Sequence, residues 1–184
     1  MKLVILDRDG VINQDSADFI KSPDEWHPIE GSLEAIAQLN RAGYHVVVAT
    51  NQSGIARGYF DIEMLHAIHA KMHDALAHVG GFIDAVFYCP HGPKSTCRCR
   101  KPKPGMLLEI AQRLNHSLKN VPCVGDAVRD LQAAMAAQAS PVLVRTGKGQ
   151  HTLDKGLPKS LHDENIPVYK DLAEFASAWI GSHV

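Results

Sequence analysis

The 184-residue chain has no apolar run longer than a strand, which excludes the ~20-residue span that a bilayer-crossing helix needs. It is poor in aromatics, at 6%, and has no excess of one charge: 19 basic against 20 acidic residues leave a net charge of −1. Without a basic field or a long aromatic-lined basic tract, neither nucleic acid nor an anionic membrane is an expected partner. No charged n-region and apolar h-region precede the first strand-like segment, so no signal peptide is read and a cytoplasmic location is expected. Repeats, low-complexity tracts and linkers are also missing, so residues 1–184 are expected to form one domain. The size allows a substantial core, and 45% hydrophobic with 21% charged residues is ordinary for a globular protein. A small-molecule substrate and a monomeric chain are the default expectations.

What is present alternates between strand-like and helix-like segments, which predicts an α/β fold. The architecture expected is a doubly wound, mainly parallel sheet of five or six strands with helices on both faces. Strands are predicted at 2–6, 45–50, 82–88, 121–124 and 141–145. Helices are predicted at 32–42, 61–79, 104–115, 129–138 and 171–180. In the second of these Leu65, Ile68, Met72, Leu76 and Val79 make one apolar stripe. Residues 146–165 read as a polar loop.

The first strand, Leu3-Val4-Ile5-Leu6, ends abruptly in Asp7-Arg8-Asp9-Gly10. Ligands of open α/β sheets bind at the carboxyl ends of parallel strands, so both carboxylates stand where chemistry is expected. Two adjacent like charges need compensation, either by a bound cation or by a proton held on one of them. Three more polar clusters follow later strands: Thr50-Asn51-Gln52-Ser53-Gly54, Arg100-Lys101, and Gly125-Asp126. A shared carboxyl edge would bring all four together.

This order resembles the haloacid dehalogenase superfamily of phosphatases: DxD, then Thr or Ser, then Lys, then GDxxxD, here Gly125 to Asp130. The likeness spans residues 3–130. It implies that Asp7 attacks phosphorus to form an aspartyl-phosphate, and that Asp9 protonates the leaving oxygen and later deprotonates water. For the first of these duties the Asp9 pKa is expected to be raised by its neighbour Asp7. Asp7, the Asp9 carbonyl and Asp126 would hold Mg²⁺, and Thr50 and Lys101 would bind the transferring phosphoryl oxygens. Asp130 would support the site from behind or cap its helix. Lys103 is the rival for the lysine role, and Lys101 is chosen because it stands in an Arg-Lys-Pro triplet.

Three of the four cysteines lie in residues 89–99, where Cys89, His91, Cys97 and Cys99 make a Cys3His set suited to structural zinc. Disulfides and an unliganded loop are the rivals; Cys123 reads as core. A fully ligated ion would be architectural, clamping the loop and aiming Arg100 and Lys101. Lys94, Arg98, Arg100, Lys101 and Lys103 make a local positive cluster suited to a phosphate-rich substrate.

The loop, Asp-Arg-Asp-Gly and the run from Thr50 to Gly58 together resemble the D-glycero-D-manno-heptose-1,7-bisphosphate 7-phosphatase family, with the histidinol-phosphate phosphatases as siblings and the alternative reading. The resemblance implies a Rossmann-like core without a cap domain and an enzyme of ADP-heptose and lipopolysaccharide core synthesis. It implies substrate contacts from Asp15, Ser16, Ala17, Asp18, Asn51, Gln52, Ser53 and Arg100. Ala127 departs from the lysine often found after the GD aspartate, which leaves the anomer open. His66, His69 and His73 are read as the boundary or solvated face of their helix, and Thr146 to Gly149 as a turn without function.

Overall fold

Alternation along the first strand sets the two layers of the molecule. In the computed structural model, which describes residues 1–161 and 165–182, β1 (Lys2–Leu6) sends Val4 and Leu6 to one face and Leu3 and Ile5 to the other. Strands β2 (Tyr44–Asn51) and β4 (Pro122–Gly125) flank it in parallel, with Ile5 opposite Val47 and Cys123. Strands β3 (Ala85–Cys89), β5 (Ser140–Val144) and β6 (Val168–Tyr169) complete the order β3-β2-β1-β4-β5-β6. That order reverses direction beside β1, and the crevice outside the β1 and β4 ends is where such sheets bind ligands.

Helices α1 (Ser32–Arg41), α2 (Ile62–His78) and α6 (Leu172–Gly181) cover one face, burying Ile36, Leu39, Ile68, Met72, Leu76 and Phe175 against Val4, Val46 and Val48. Helices α3 (Gly105–Leu114) and α4 (Val128–Ala136) cover the other, with Met106, Leu107, Ile110, Ala133 and Ala134 on Leu3, Ile5 and Val47. Local chemistry sets the helix ends. Asp61 caps α2 by accepting from the Met64 N–H at 2.8 Å, and Asn115 takes the left-handed conformation, φ 47°, that stops α3.

Two sequence expectations need correction, and one open count is settled. The third strand is Ala85–Cys89 rather than 82–88, because Asp84 is held back by hydrogen-bonding the Val46 N–H. Of the five or six strands expected the sheet has six: the short β6 adds to β5, where Leu143 pairs with Val168. The predicted loop 146–165 contains α5 (Gly149–Asp154) and a 3-10 turn at Lys159–Leu161, whose Leu161 packs with Leu131 and Leu143. Residues 162–164 of that stretch lie outside the described residues. The segment between β1 and α1 is anchored by Trp26 and Ile12 in the core and carries a single 3-10 turn, Pro23–Glu25. Among the described residues no lid subdomain interrupts the sheet.

Candidate active site

The carboxyl ends of β1 and β2 deliver their polar residues to one cleft of about 240 Å³, and Asp126 at the end of β4 lies beside Asp7. Asp7 ends β1 and is 5% exposed. Its Oδ1 accepts from the Arg8 N–H at 2.8 Å and meets the Lys101 ammonium at 3.1 Å. Lys101 is equally buried; its ammonium donates to the Ala49 carbonyl at 2.8 Å and forms ion pairs with Asp7 and, at 2.7 Å, with Asp130. Lys103 points away, exposed, donating to the Cys97 carbonyl. Reciprocal bonds between the Asn51 amide and the Lys101 backbone, both 3.1 Å, tie the end of the cysteine loop to the end of β2.

Burial lifts the Asp7 pKa to about 6 against the pull of Lys101, and burial with Asp7 and Asp130 nearby lifts Asp126 to about 8. Asp130 is held low: burial opposes, but Lys101 and Arg129 outweigh it. Its other oxygen accepts the Ala127 N–H at 3.0 Å, so one carboxylate both caps α4 and holds Lys101. Gly10, at φ +83°, lets the chain turn under Asp126, since a Cβ there would lie 2.0 Å from Asp126 Oδ2.

Asp9 departs from expectation. Its pKa is lowered, not raised: burial favours the proton, but the Arg8 guanidinium and hydrogen bonds from Asn13 and Gln52 prevail. Arg8 is fully buried and grips both Asp9 oxygens, at 3.0 and 3.2 Å, while Asn13 and Gln52 donate at 2.9 and 3.0 Å. Gln52 also donates to Thr50 Oγ1 at 2.9 Å, linking Thr50, itself 0% exposed, to Asp9. The third contact of Arg8 corrects a second expectation. His69 is not on a solvated face; it is 7% exposed, and its Nε2 lies 3.1 Å from Arg8 Nη1. Burial and the Arg8 charge push His69 down to about 3, so the neutral ring accepts.

The remaining predicted contacts divide. Asp15, Ser16, Ala17, Asn51, Gln52, Ser53 and Arg100 line the cleft, and Asp18 lines a neighbouring hollow with Phe19 and Tyr59. The turn at Thr146 to Gly149, read as functionless, forms part of the cleft wall. The Lys148 N–H donates to Asp126 Oδ2 at 2.8 Å, its ammonium pairs with Asp15 at 2.9 Å, and Thr146 donates to the Gly10 carbonyl at 2.7 Å. Arg129, Arg57 and Phe19 line the same cleft and were not anticipated. For Arg129 the signal lay in the GDxxxD spacing, whose start-of-helix turn faces the carboxyl edge.

Two groups of residues fit metals. Asp7, Asp126 and Asp130 offer oxygens within 4.8 Å of one another, and Asp126 Oδ1 is buried with no hydrogen-bond partner. Hard oxygen donors, one with an unspent lone pair, suit a divalent cation such as Mg²⁺. In the loop, Cys89 Sγ lies 3.8 Å from Cys97 Sγ, 3.2 Å from Cys99 Sγ and 3.5 Å from His91 Nδ1. Ligand bonds of ~2.0–2.3 Å in a tetrahedron give edges of about 3.5–3.8 Å, and no disulfide competes, since all four cysteines are free. This group can hold a metal ion. Arg100 donates to the His91 carbonyl at 3.2 Å, so the loop orients it directly.

A 3-2-1-4-5-6 parallel sheet carrying DxD, Thr, Lys and GDxxxD on one edge defines a hydrolase of the haloacid dehalogenase class. A family model described as HAD-hyrolase-like matches residues 98–175. A relative in Bordetella bronchiseptica, named D-glycero-beta-D-manno-heptose-1,7-bisphosphate 7-phosphatase, is 58% identical over 96% of both chains. One of the same name in Pseudomonas aeruginosa is 54% identical over 96% of both. The crystal structure of the D,D-heptose 1,7-bisphosphate phosphatase from B. bronchiseptica, complexed with magnesium and phosphate, superposes with a TM-score of 0.94 at 56% identity, covering 99% of each chain. This chain belongs to the D-glycero-D-manno-heptose-1,7-bisphosphate 7-phosphatase family.

Proposed function

We propose that this chain is a phosphoric monoester hydrolase that removes the 7-phosphate of D-glycero-β-D-manno-heptose 1,7-bisphosphate, with Mg²⁺ as cofactor. The full-length likeness to relatives of that name, at 51–58% identity, carries the reading. Their names also support the β anomer, which Ala127 alone leaves open. The product would serve ADP-heptose synthesis for the lipopolysaccharide core, in the cytoplasm, where a reducing milieu keeps the loop thiols available for structural zinc. A monomer is part of the same reading.

The chemistry follows from the groups in the cleft. An Asp7 oxygen forms a bond to phosphorus as the bond between phosphorus and the C7 oxygen breaks, giving an aspartyl-phosphate. Asp9 passes a proton to the departing alkoxide, then takes one from the water that attacks the acyl phosphate. Asp9 is ionised at rest, so it takes up the first proton only as the phosphate enters, whose negative charge beside it raises its proton affinity. Arg8, Asn13 and Gln52 keep the carboxylate in place throughout. Lys101 and Thr50 meet the equatorial phosphoryl oxygens from a buried setting where each charge acts strongly. Asp7, Asp126 and the Asp9 carbonyl would hold Mg²⁺, which supplies neutralising positive charge when bound.

The test is phosphate release with Mg²⁺ from the α and β anomers of heptose 1,7-bisphosphate and from histidinol phosphate. Preference for the β-bisphosphate is expected. Preference for histidinol phosphate would overturn the assignment.

A further inference from the structure

Two loops face each other across the mouth of the cleft. The loop after β1 brings Phe19, held at φ 65°, and the loop after β2 brings Arg57 and Tyr59. A left-handed phenylalanine is strained, and such residues persist where surrounding contacts over-determine them. Here the contacts are specific. The Phe19 and Tyr59 ring centroids lie 5.2 Å apart, and the Arg57 guanidinium sits over the Phe19 ring at 5.6 Å. The base of the second loop is locked: Tyr59 N–H donates to the Gly54 carbonyl at 3.0 Å, and a Cβ on Gly54 would lie 2.2 Å from the Phe60 ring. Arg57 is therefore presented to the cleft by a rigid bracket.

A bisphosphate places one phosphoryl group on Asp7 and leaves a second dianion to be met elsewhere. The other cations of the cleft stand nearer Asp7 or already have a partner. Lys101 pairs with Asp7 at the reacting centre, where it serves the transferring phosphoryl group, and Lys148 pairs with Asp15. Arg129, whose Nε is buried without a hydrogen-bond partner, lies in the field of Asp130, Asp7 and Asp126, on the Asp7 side of the cleft, and Arg100 gives one N–H to the His91 carbonyl. The Arg57 guanidinium makes no hydrogen bond or ion pair among the described residues, its backbone N–H alone bonding the Ser53 carbonyl, and it lines the same cleft. Its fork of donors suits bidentate contact with a phosphate.

Resting on the bisphosphate reading above, we propose that Arg57, held on the Phe19–Tyr59 bracket, binds the distal phosphate and sets the preference for doubly phosphorylated sugars. The readout is the ratio of kcat/KM for heptose 1,7-bisphosphate to that for heptose 7-phosphate, which has the same sugar without the distal group. Arg57→Ala should lower that ratio by about 10- to 100-fold, the worth of one charge-assisted contact. Arg57→Lys should recover part of it, which a merely structural role would not. Phe19→Leu, which keeps an apolar contact but removes the ring, should lower the ratio by a few-fold. A wild-type enzyme with a high ratio that Arg57→Ala leaves unchanged would overturn this proposal alone. A wild-type ratio near one would overturn the bisphosphate reading and this proposal with it.

Discussion

Gly10 and Gly43 share the same backbone angle, φ +83°, and differ in what surrounds them. A Cβ on Gly43 would meet nothing within 4 Å, whereas one on Gly10 would lie 2.0 Å from Asp126 Oδ2 and 2.7 Å from its Cγ. Gly43→Ala therefore isolates the strain of a left-handed alanine, about 1 kcal/mol, which lowers Tm by roughly 2–4 °C in a domain of this size. Gly10→Ala carries that strain plus the displacement of a carboxylate that is 0% exposed and held by the Lys148 N–H at 2.8 Å. Moving it by 1 Å or more breaks that bond, at about 1–2 kcal/mol, and shifts a proposed metal ligand. A misplacement of that size at a reacting centre costs roughly 100-fold in rate. The assay is phosphate release at saturating Mg²⁺, with thermal unfolding of both variants. Gly43→Ala should keep its activity with the small Tm shift. If Gly10→Ala kept full activity as well, Asp126 would not be required where the structure puts it.

Asp7→Asn should abolish turnover, with Tm shifted by only a few degrees and the loop metal content unchanged by elemental analysis; detectable steady-state hydrolysis would exclude Asp7 as nucleophile. Cys97→Ala should lose the loop metal and raise KM, because Arg100 and Lys101 then hang on an unclamped loop; full activity with a metal-free loop would refute the architectural role. His69 should make the fold acid-sensitive. Burial and Arg8 lower its folded pKa from 6.5 to about 3, so only the unfolded chain takes the proton between those values. Its contribution is present above pH 6.5 and is lost progressively as pH falls toward 3, at up to about 1.4 kcal/mol per pH unit. Urea titrations at pH 7, 6 and 5 should show a shallower pH dependence for His69→Leu than for wild type, and equal slopes would contradict the assignment.

Much of this molecule was legible along the chain, because some properties depend only on neighbours in sequence. The run Leu3 to Leu6 followed by two aspartates could only be a buried strand ending in charge. The alternation of strands and helices implied a parallel sheet, hence one edge where Asp7, Thr50 and Asp126 gather. Cys89, His91, Cys97 and Cys99 are close enough in sequence to meet whatever the rest of the chain does. The structure alone decided matters that sum over remote segments. Lys101 and Lys103 are the same residue type two positions apart, and only packing sends one to Asp7 and the other to solvent. Asp9 was expected to hold its proton on account of Asp7, but its charge state answers to Arg8, Asn13 and Gln52 together. His69 entered the site from a helix sixty-one residues beyond Arg8, and Lys148 from a turn after the fifth strand. Periodicity reports which face of an element is apolar, but the electrostatic setting of a buried group depends on distances in three dimensions, and those exist only once the sheet has brought the segments together.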